Sequence, residues 1–232
     1  MDRWKFYEKS FLDNINKSSK FLLISGSEHE IKILKNLGFS DFSVTYHEES
    51  DREILKKYGF ELNVNLFKSD IRNLQFENKS YEYVVTNATI HHVDQPHKAI
   101  TEMYRVANKG VLIIESNDSL TMRIACKLKF AETFELSSIN QEKNSGGLLD
   151  TGIPNYVYRW TEREILKLLN SYDPSNVNYV KFDYTNDLVN LKLKKIFSLI
   201  TFFAKIYFYI FRKQQNCLSI FIDKSKIKRR LF

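Results

Sequence analysis

Short apolar runs alternate with amphipathic stretches along the first half of the chain. Lys20-Phe21-Leu22-Leu23-Ile24 is apolar after its first residue and ends at Ser25-Gly26-Ser27. A run that short and that apolar predicts a strand buried on both faces, as in a parallel sheet. Ile31, Leu34 and Leu37 recur at helical spacing and predict a helix over 28–37 that stops at Gly38. Phe42–Tyr46 predicts the next strand, and residues 51–58 a short helix ended by Gly59. Further strands are expected at 62–67, leading to Ser69-Asp70, at 83–86 and, after Gly110, at 111–114. Pro96 stands where the first turn of a helix accepts proline, so a helix is expected from there to Val106.

This alternation builds βαβ units, a parallel sheet and, through right-handed crossovers, helices on both faces. Ligands of such sheets sit beyond the carboxyl ends of the strands, at the topological switch point. Ser25-Gly26-Ser27 is therefore the first candidate binding segment. After Glu115 the alternation breaks. Residues 116–158, with a loop at Ser145-Gly146-Gly147, are expected to be an insertion or lid over the strand ends. Thr161-Glu162-Arg163-Glu164 has capping-box spacing and starts a helix reaching about Leu169. A strand at 177–184, a long helix over 187–213, a last strand at 218–222 and a basic tail over 224–230 complete the chain. The expected fold is α/β: a Rossmann-like, seven-stranded, mostly parallel sheet with helices on both faces and an inserted lid region.

The 232 residues suit one domain of this kind. Thirty-five Lys and Arg against 28 Asp and Glu leave a formal charge of +7. That balance admits nucleic acid, a membrane surface or an anionic substrate and selects none of them. No RNA-binding module or interleaved basic-aromatic patch accompanies it, so nucleic acid is not the expected partner. Cys126 and Cys217 lie far apart, which implies neither a disulfide framework nor a zinc site and fits the cytoplasm. The polar start, Met1-Asp2-Arg3-Trp4-Lys5, is not a signal peptide.

Residues 196–211 are nearly all apolar but too few to span a bilayer, and Lys205 interrupts them. Lys194, Ser198, Thr201, Lys205, Tyr209 and Arg212 form a narrow polar stripe at steps of three or four. Two readings follow: a buried lid or homodimer helix packed on the sheet, or an interfacial helix resting on anionic lipid with help from the basic tail.

The most specific signal lies between Lys68 and Glu115. Asp70-Ile71-Arg72-Asn73-Leu74-Gln75-Phe76-Glu77-Asn78-Lys79-Ser80-Tyr81-Glu82-Tyr83-Val84-Val85 resembles D-x-x-x-L-P-F-x-D-x-S-F-D-x-V of the class I S-adenosylmethionine-dependent methyltransferases, in their type 11-like group. His91-His92-Val93, Glu102-Met103-Tyr104-Arg105-Val106 and Lys109-Gly110-Val111-Leu112-Ile113-Ile114-Glu115 are similar to that family's next segments. Tyr158-Arg159-Trp160-Thr161 is similar to its entry into the following helix.

The resemblance implies S-adenosylmethionine as cofactor and residues 20–115 as the cofactor-binding half, with 159–232 as the C-terminal half. It places Ser25, Gly26 and Ser27 at the cofactor loop. Asp70 would accept from the adenine amino group, Ile71 would cover the adenine face, and Asn87 would meet the methionine part. His91 and His92 are the candidate bases for a hydroxyl acceptor, His91 first. His29 is a poorer candidate, and His97 reads as a surface residue of its helix. No metal site is expected: His91 and His92 are adjacent, and no carboxylate or cysteine completes a ligand set with them. Two departures from the family are plain. The loop acidic-x-G-x-G-x-G is here Ile24-Ser25-Gly26-Ser27-Glu28-His29-Glu30, with one glycine. The acid expected after the second strand is replaced by Tyr46 and His47, leaving Glu48 one step on as the ribose ligand. The expected function is methyl transfer to a small-molecule, glycan or lipid-linked acceptor. The alternative is a degenerate, non-catalytic member of the fold serving as a binding or scaffold subunit.

Overall fold

A computed structural model describes residues 3–47, 52–53, 55–56, 64–140, 142, 144–186 and 198–230. Seven strands form one sheet: β1 (Phe21–Ile24), β2 (Phe42–Tyr46), β3 (Asn65–Lys68), β4 (Tyr81–Asn87), β5 (Ala107–Ser116), β6 (Asn176–Thr185) and β7 (Cys217–Arg229), in the order β3-β2-β1-β4-β5-β7-β6. All neighbours from β3 to β5 pair parallel, and β7 runs antiparallel to both β5 and β6.

The apolar runs form strands because both of their faces are buried. Along β1, Phe21 and Leu23 enter one core while Leu22 and Ile24 enter the other. Along β5, Val111 and Ile113 alternate in the same way with Leu112 and Ile114. One core lies under α1 (Arg3–Asn14) and α2 (Glu28–Asn36); the other lies under α3 (Pro96–Val106) and α5 (Glu162–Tyr172). A further helix, α4 (Leu120–Lys127), opens the 116–158 insertion, and α6 (Ser198–Ile210) lies in the C-terminal half.

Several expectations need correcting. Helix α1 was not legible as such, yet Phe6, Tyr7 and Phe11 are fully buried, and Phe11 packs edge-on against Phe21 and Phe39. The basic tail does not exist as a tail. Strand β7 continues through Arg229, pairing Lys228 with Val177 and Arg229 with Asn176. Lys224 within it donates to the Tyr104 and Ala107 carbonyls. Helix α5 runs three residues past Leu169, to Tyr172. The third strand starts at Asn65.

The helix expected over 51–58 lies mostly outside the described residues, as does 187–197 of the long apolar helix. In the described part of that helix, Phe202, Phe203, Ile206, Tyr209 and Ile210 are exposed, so it does not bury itself on the sheet. Tyr207 meets Thr121 of α4 through its hydroxyl at 3.1 Å. Among the described residues, no helix is long and apolar enough to cross a membrane.

The Glu102–Arg105 pair shows why a helix motif matters for a distant loop. Arg105 donates to the Leu74 and Phe76 carbonyls and to Asn78 Oδ1, while Glu102 Oε2 accepts from the Leu74 amide and from Arg105. These charge-assisted bonds pin the β3–β4 connection, and with it the segment that follows β3, to α3.

Candidate functional site

The order of strands reverses between β1 and β4, and a cleft opens there at their carboxyl ends. Its volume is about 330 Å³. Its floor is Ser25 after β1, His47 after β2, Asp70 and Ile71 after β3, and Ala88 and Thr89 after β4. His92 and Val93 form one wall, and Gly146, Gly147 and Leu149 of the insertion form another. A second recess of about 500 Å³ shares Ser25 with the first and continues over Gly26, Ser27, Glu28, His29 and Tyr46.

The first loop is built differently from a glycine-rich one. Ser25 has φ +49°, a left-handed conformation that costs a residue with a Cβ roughly 1–2 kcal/mol. Its amide donates to Thr45 Oγ1 at 3.0 Å, which fixes that turn against β2. Gly26 is required by packing: a Cβ there would lie 2.3 Å from Leu23 Cδ2. Ser27 caps α2 in a full capping box with Glu30. Glu30 is buried, with its other oxygen accepting from Asn87 Nδ2 at 3.2 Å. Burial pushes the Glu30 carboxyl up from its ordinary value, against the bonds from Ser27 and Asn87 that hold it down. Arg3 of α1 reaches Asn87 Oδ1 at 3.4 Å, and its Nε is buried with no hydrogen-bond partner. Arg3 and Glu30 thus join Asn87 in one hydrogen-bonded cluster next to the Ser27 cap, a contact that the sequence reading missed; neither lines a recess itself.

Asp70 lines the cleft but is not idle. Arg72 grips its carboxylate through Nε at 2.9 and 3.0 Å and through its amide at 2.8 Å. The Arg72 guanidinium holds the Asp70 carboxyl below the usual range and itself bridges to Asp94. Ile71 is buried beside it. Glu48 lies outside the described residues.

The two histidines part company. His91 is buried, with Nδ1 2.8 Å from Glu115 Oε2 and Nε2 3.5 Å from Glu135 Oε2. Burial works against its charge, but Glu115 and then Glu135 outweigh it and raise the imidazole to about 10. The two carboxylates thus favour the protonated form of His91, which is the form least suited to accept a proton. His91 also holds the Glu135 carboxyl down to about 2. His92, not His91, lines the cleft, and its Nε2 also lies 3.5 Å from Glu135 Oε2. His97 is more than a surface residue: it bonds Glu164 at 3.0 Å and packs edge-on against Trp160, tying α3 to α5.

The comparisons with known proteins bear on the fold. Among solved structures, the methyltransferase bound to the Trm112 methyltransferase activator of Haloferax volcanii superposes with a TM-score of 0.63 at 11% identity, over 95% of this chain and 89% of that one. Magnesium protoporphyrin IX methyltransferase of Synechocystis PCC 6803, solved with bound SAH, gives 0.56 at 10% identity over 95% and 81%. A SAM-dependent methyltransferase of Archaeoglobus fulgidus gives 0.56 at 13% identity over 96% and 91%. No curated protein matches the chain. The fold is that of the class I S-adenosylmethionine-dependent methyltransferases. More narrowly, residues 25–114 match the family model described as a methyltransferase domain, the stretch that carries the strand ends and the His pair.

The buried Glu30 gives a signed pH prediction. A carboxyl raised on folding binds more protons in the native than in the unfolded state just above its ordinary value of 4.5, so its contribution to stability falls as pH rises through that window. Glu30→Gln keeps the capping-box geometry and removes the titration. In urea unfolding from pH 4.5 to 8, the stability of the variant relative to wild type is expected to rise with pH. A difference that stays constant would contradict the assignment.

Proposed function

We propose that the chain is an S-adenosylmethionine-dependent methyltransferase acting on a small-molecule, glycan or lipid-linked acceptor, with the cytoplasm as its place of action. The observation that carries this reading is the meeting of two recesses at Ser25, at the sheet's switch point. The residues around them suit the parts of the cofactor. Ile71 offers apolar surface for a base and Asp70 an acceptor for its amino group. Tyr46 and His47 flank the ribose position, with Glu48 retained as the hydroxyl-binding candidate. Ser25, Gly26 and Ser27 border the methionine end, and Asn87, bonded to Glu30 and Arg3, is the candidate for the methionine part.

The bound sulfonium supplies the methyl group. The protein's own part is to align the acceptor and, for a hydroxyl, to take its proton. His92 is the base in this reading, because it faces the cleft while His91 beside it, with ring centroids 4.5 Å apart, fixes the loop. The 116–158 insertion acts as a lid through Gly146, Gly147 and Leu149.

A non-catalytic reading has its own support. Asp70 is already gripped by Arg72, and two bulky side chains, Glu28 and His29, line the recess where the family has glycines. Calorimetry separates the two. Micromolar binding of S-adenosylmethionine and S-adenosylhomocysteine, weakened at least tenfold by Asp70→Ala through loss of a hydrogen bond to a charged group, is expected. No binding to the folded wild type would leave the scaffold reading in place.

The exposed apolar face of α6, with Lys205 on it and Arg212 and Lys213 after it, supports peripheral contact with anionic lipid and so a lipid-linked acceptor. Flotation with anionic but not with neutral vesicles is expected. No flotation with either, together with dimerisation in solution, would assign that face to a homodimer instead.

A further inference from the structure

The insertion brings a third side chain to the His pair. Glu135 lies 43 residues beyond His92 in sequence, yet one of its oxygens, Oε2, stands 3.5 Å from the Nε2 atoms of both His91 and His92. One ligand atom from each of the three residues lies within 4.8 Å of the others. At 3.5 Å these groups are too far apart for good hydrogen bonds to each other. Metal–ligand bonds of roughly 2.0–2.1 Å in a tetrahedron place neighbouring ligands about 3.4 Å apart, close to the two His–Glu135 distances, and the set as a whole, spread over 4.8 Å, would close on an ion by a small side-chain adjustment.

The surroundings are those of a built site. Glu115, fully buried, accepts from His91 Nδ1 and leaves Nε2 as the outward nitrogen, the arrangement by which a carboxylate orients a metal-bound imidazole. Asn155, also fully buried, donates to Glu135 Oε2 at 3.1 Å, and its own Oδ1 has no partner. Two carboxylates, Glu115 and Glu135, face His91, so the cluster favours a cation. His92 borders the cleft.

We propose that His91, His92 and Glu135 bind one divalent transition-metal ion of the zinc type, with Glu115 and Asn155 as positioning residues. Two imidazole nitrogens and one carboxylate oxygen suit zinc, cobalt or ferrous iron rather than magnesium or calcium. The ion needs neither donor nor acceptor to bind, so its binding is measured without methyl transfer; an ion on His92 Nε2 would occupy the lone pair that the base role uses, so His92 serves as base only in the metal-free protein.

The test uses the full chain without a histidine tag, stripped with chelator and titrated with Zn²⁺ against a chromophoric indicator. Co²⁺ serves as a second probe, because its visible spectrum reports coordination geometry. One equivalent of Zn²⁺ is expected. Glu135→Gln and His92→Asn should each weaken binding at least tenfold, and Glu115→Gln by roughly 10–100-fold. His97→Gln, which removes a histidine outside the cluster, should bind as wild type does. Near-UV circular dichroism identifies the variants that keep their fold. Wild-type protein that binds no Zn²⁺, or folded Glu135→Gln and His92→Asn variants that bind as wild type does, would overturn the proposal.

Discussion

The buried carboxylate of Glu115, at the end of β5, is the interaction on which the site depends. One oxygen accepts from the amides of Thr89 and Ile90, both at 2.9 Å, and the other accepts from His91 Nδ1 at 2.8 Å. A single side chain thereby satisfies the turn that leaves β4, where Ala88 takes a left-handed φ of +51°. A charge so far from water is tolerable only when paired and hydrogen-bonded, and removing one partner of such a pair typically costs 3–5 kcal/mol. The same pairing favours the protonated form of His91, and His91 in turn holds Glu135. The cleft wall and the insertion over it are therefore linked to the sheet through one carboxyl group.

That linkage gives the two histidines different work. His91 is held between the Glu115 and Glu135 carboxylates, while His92 borders the cleft where an acceptor would lie. A comparable division holds across the switch point. Gly26 answers to packing against Leu23, whereas Ser25 gives its amide to Thr45 and its exposed face to both recesses. The departures from a glycine-rich loop are compensated by a capping box and a buried Glu30–Asn87 bond that hold the loop in place. Loop geometry is thus maintained by other means.

The sheet was legible because strands buried on both faces must be continuously apolar, and Phe21–Ile24 and Val111–Ile114 are. The motif from Asp70 to Glu115 made the seat of the site legible too. Helix α1 was hidden by its polar surroundings, although Phe6, Tyr7 and Phe11 mark its buried face. The end of β7 was hidden by charge: Lys224 to Arg229 look like a solvated tail, yet β6 pairs with the segment and Ile227 packs against the core. Glu135 could not have been found by spacing, since only the path of the insertion brings it to the His pair. The roles of His91 and His92 were open for the same reason, because a role set by Glu115 and Glu135 is a tertiary property.

Hydrogen exchange of the backbone amides, with and without saturating S-adenosylhomocysteine, addresses the central claim most directly. The account predicts added protection confined to residues 25–29, 69–71 and 87–93, the strand ends that border the two recesses. Protection elsewhere in the chain, or none at these strand ends while the protein remains folded, would contradict it.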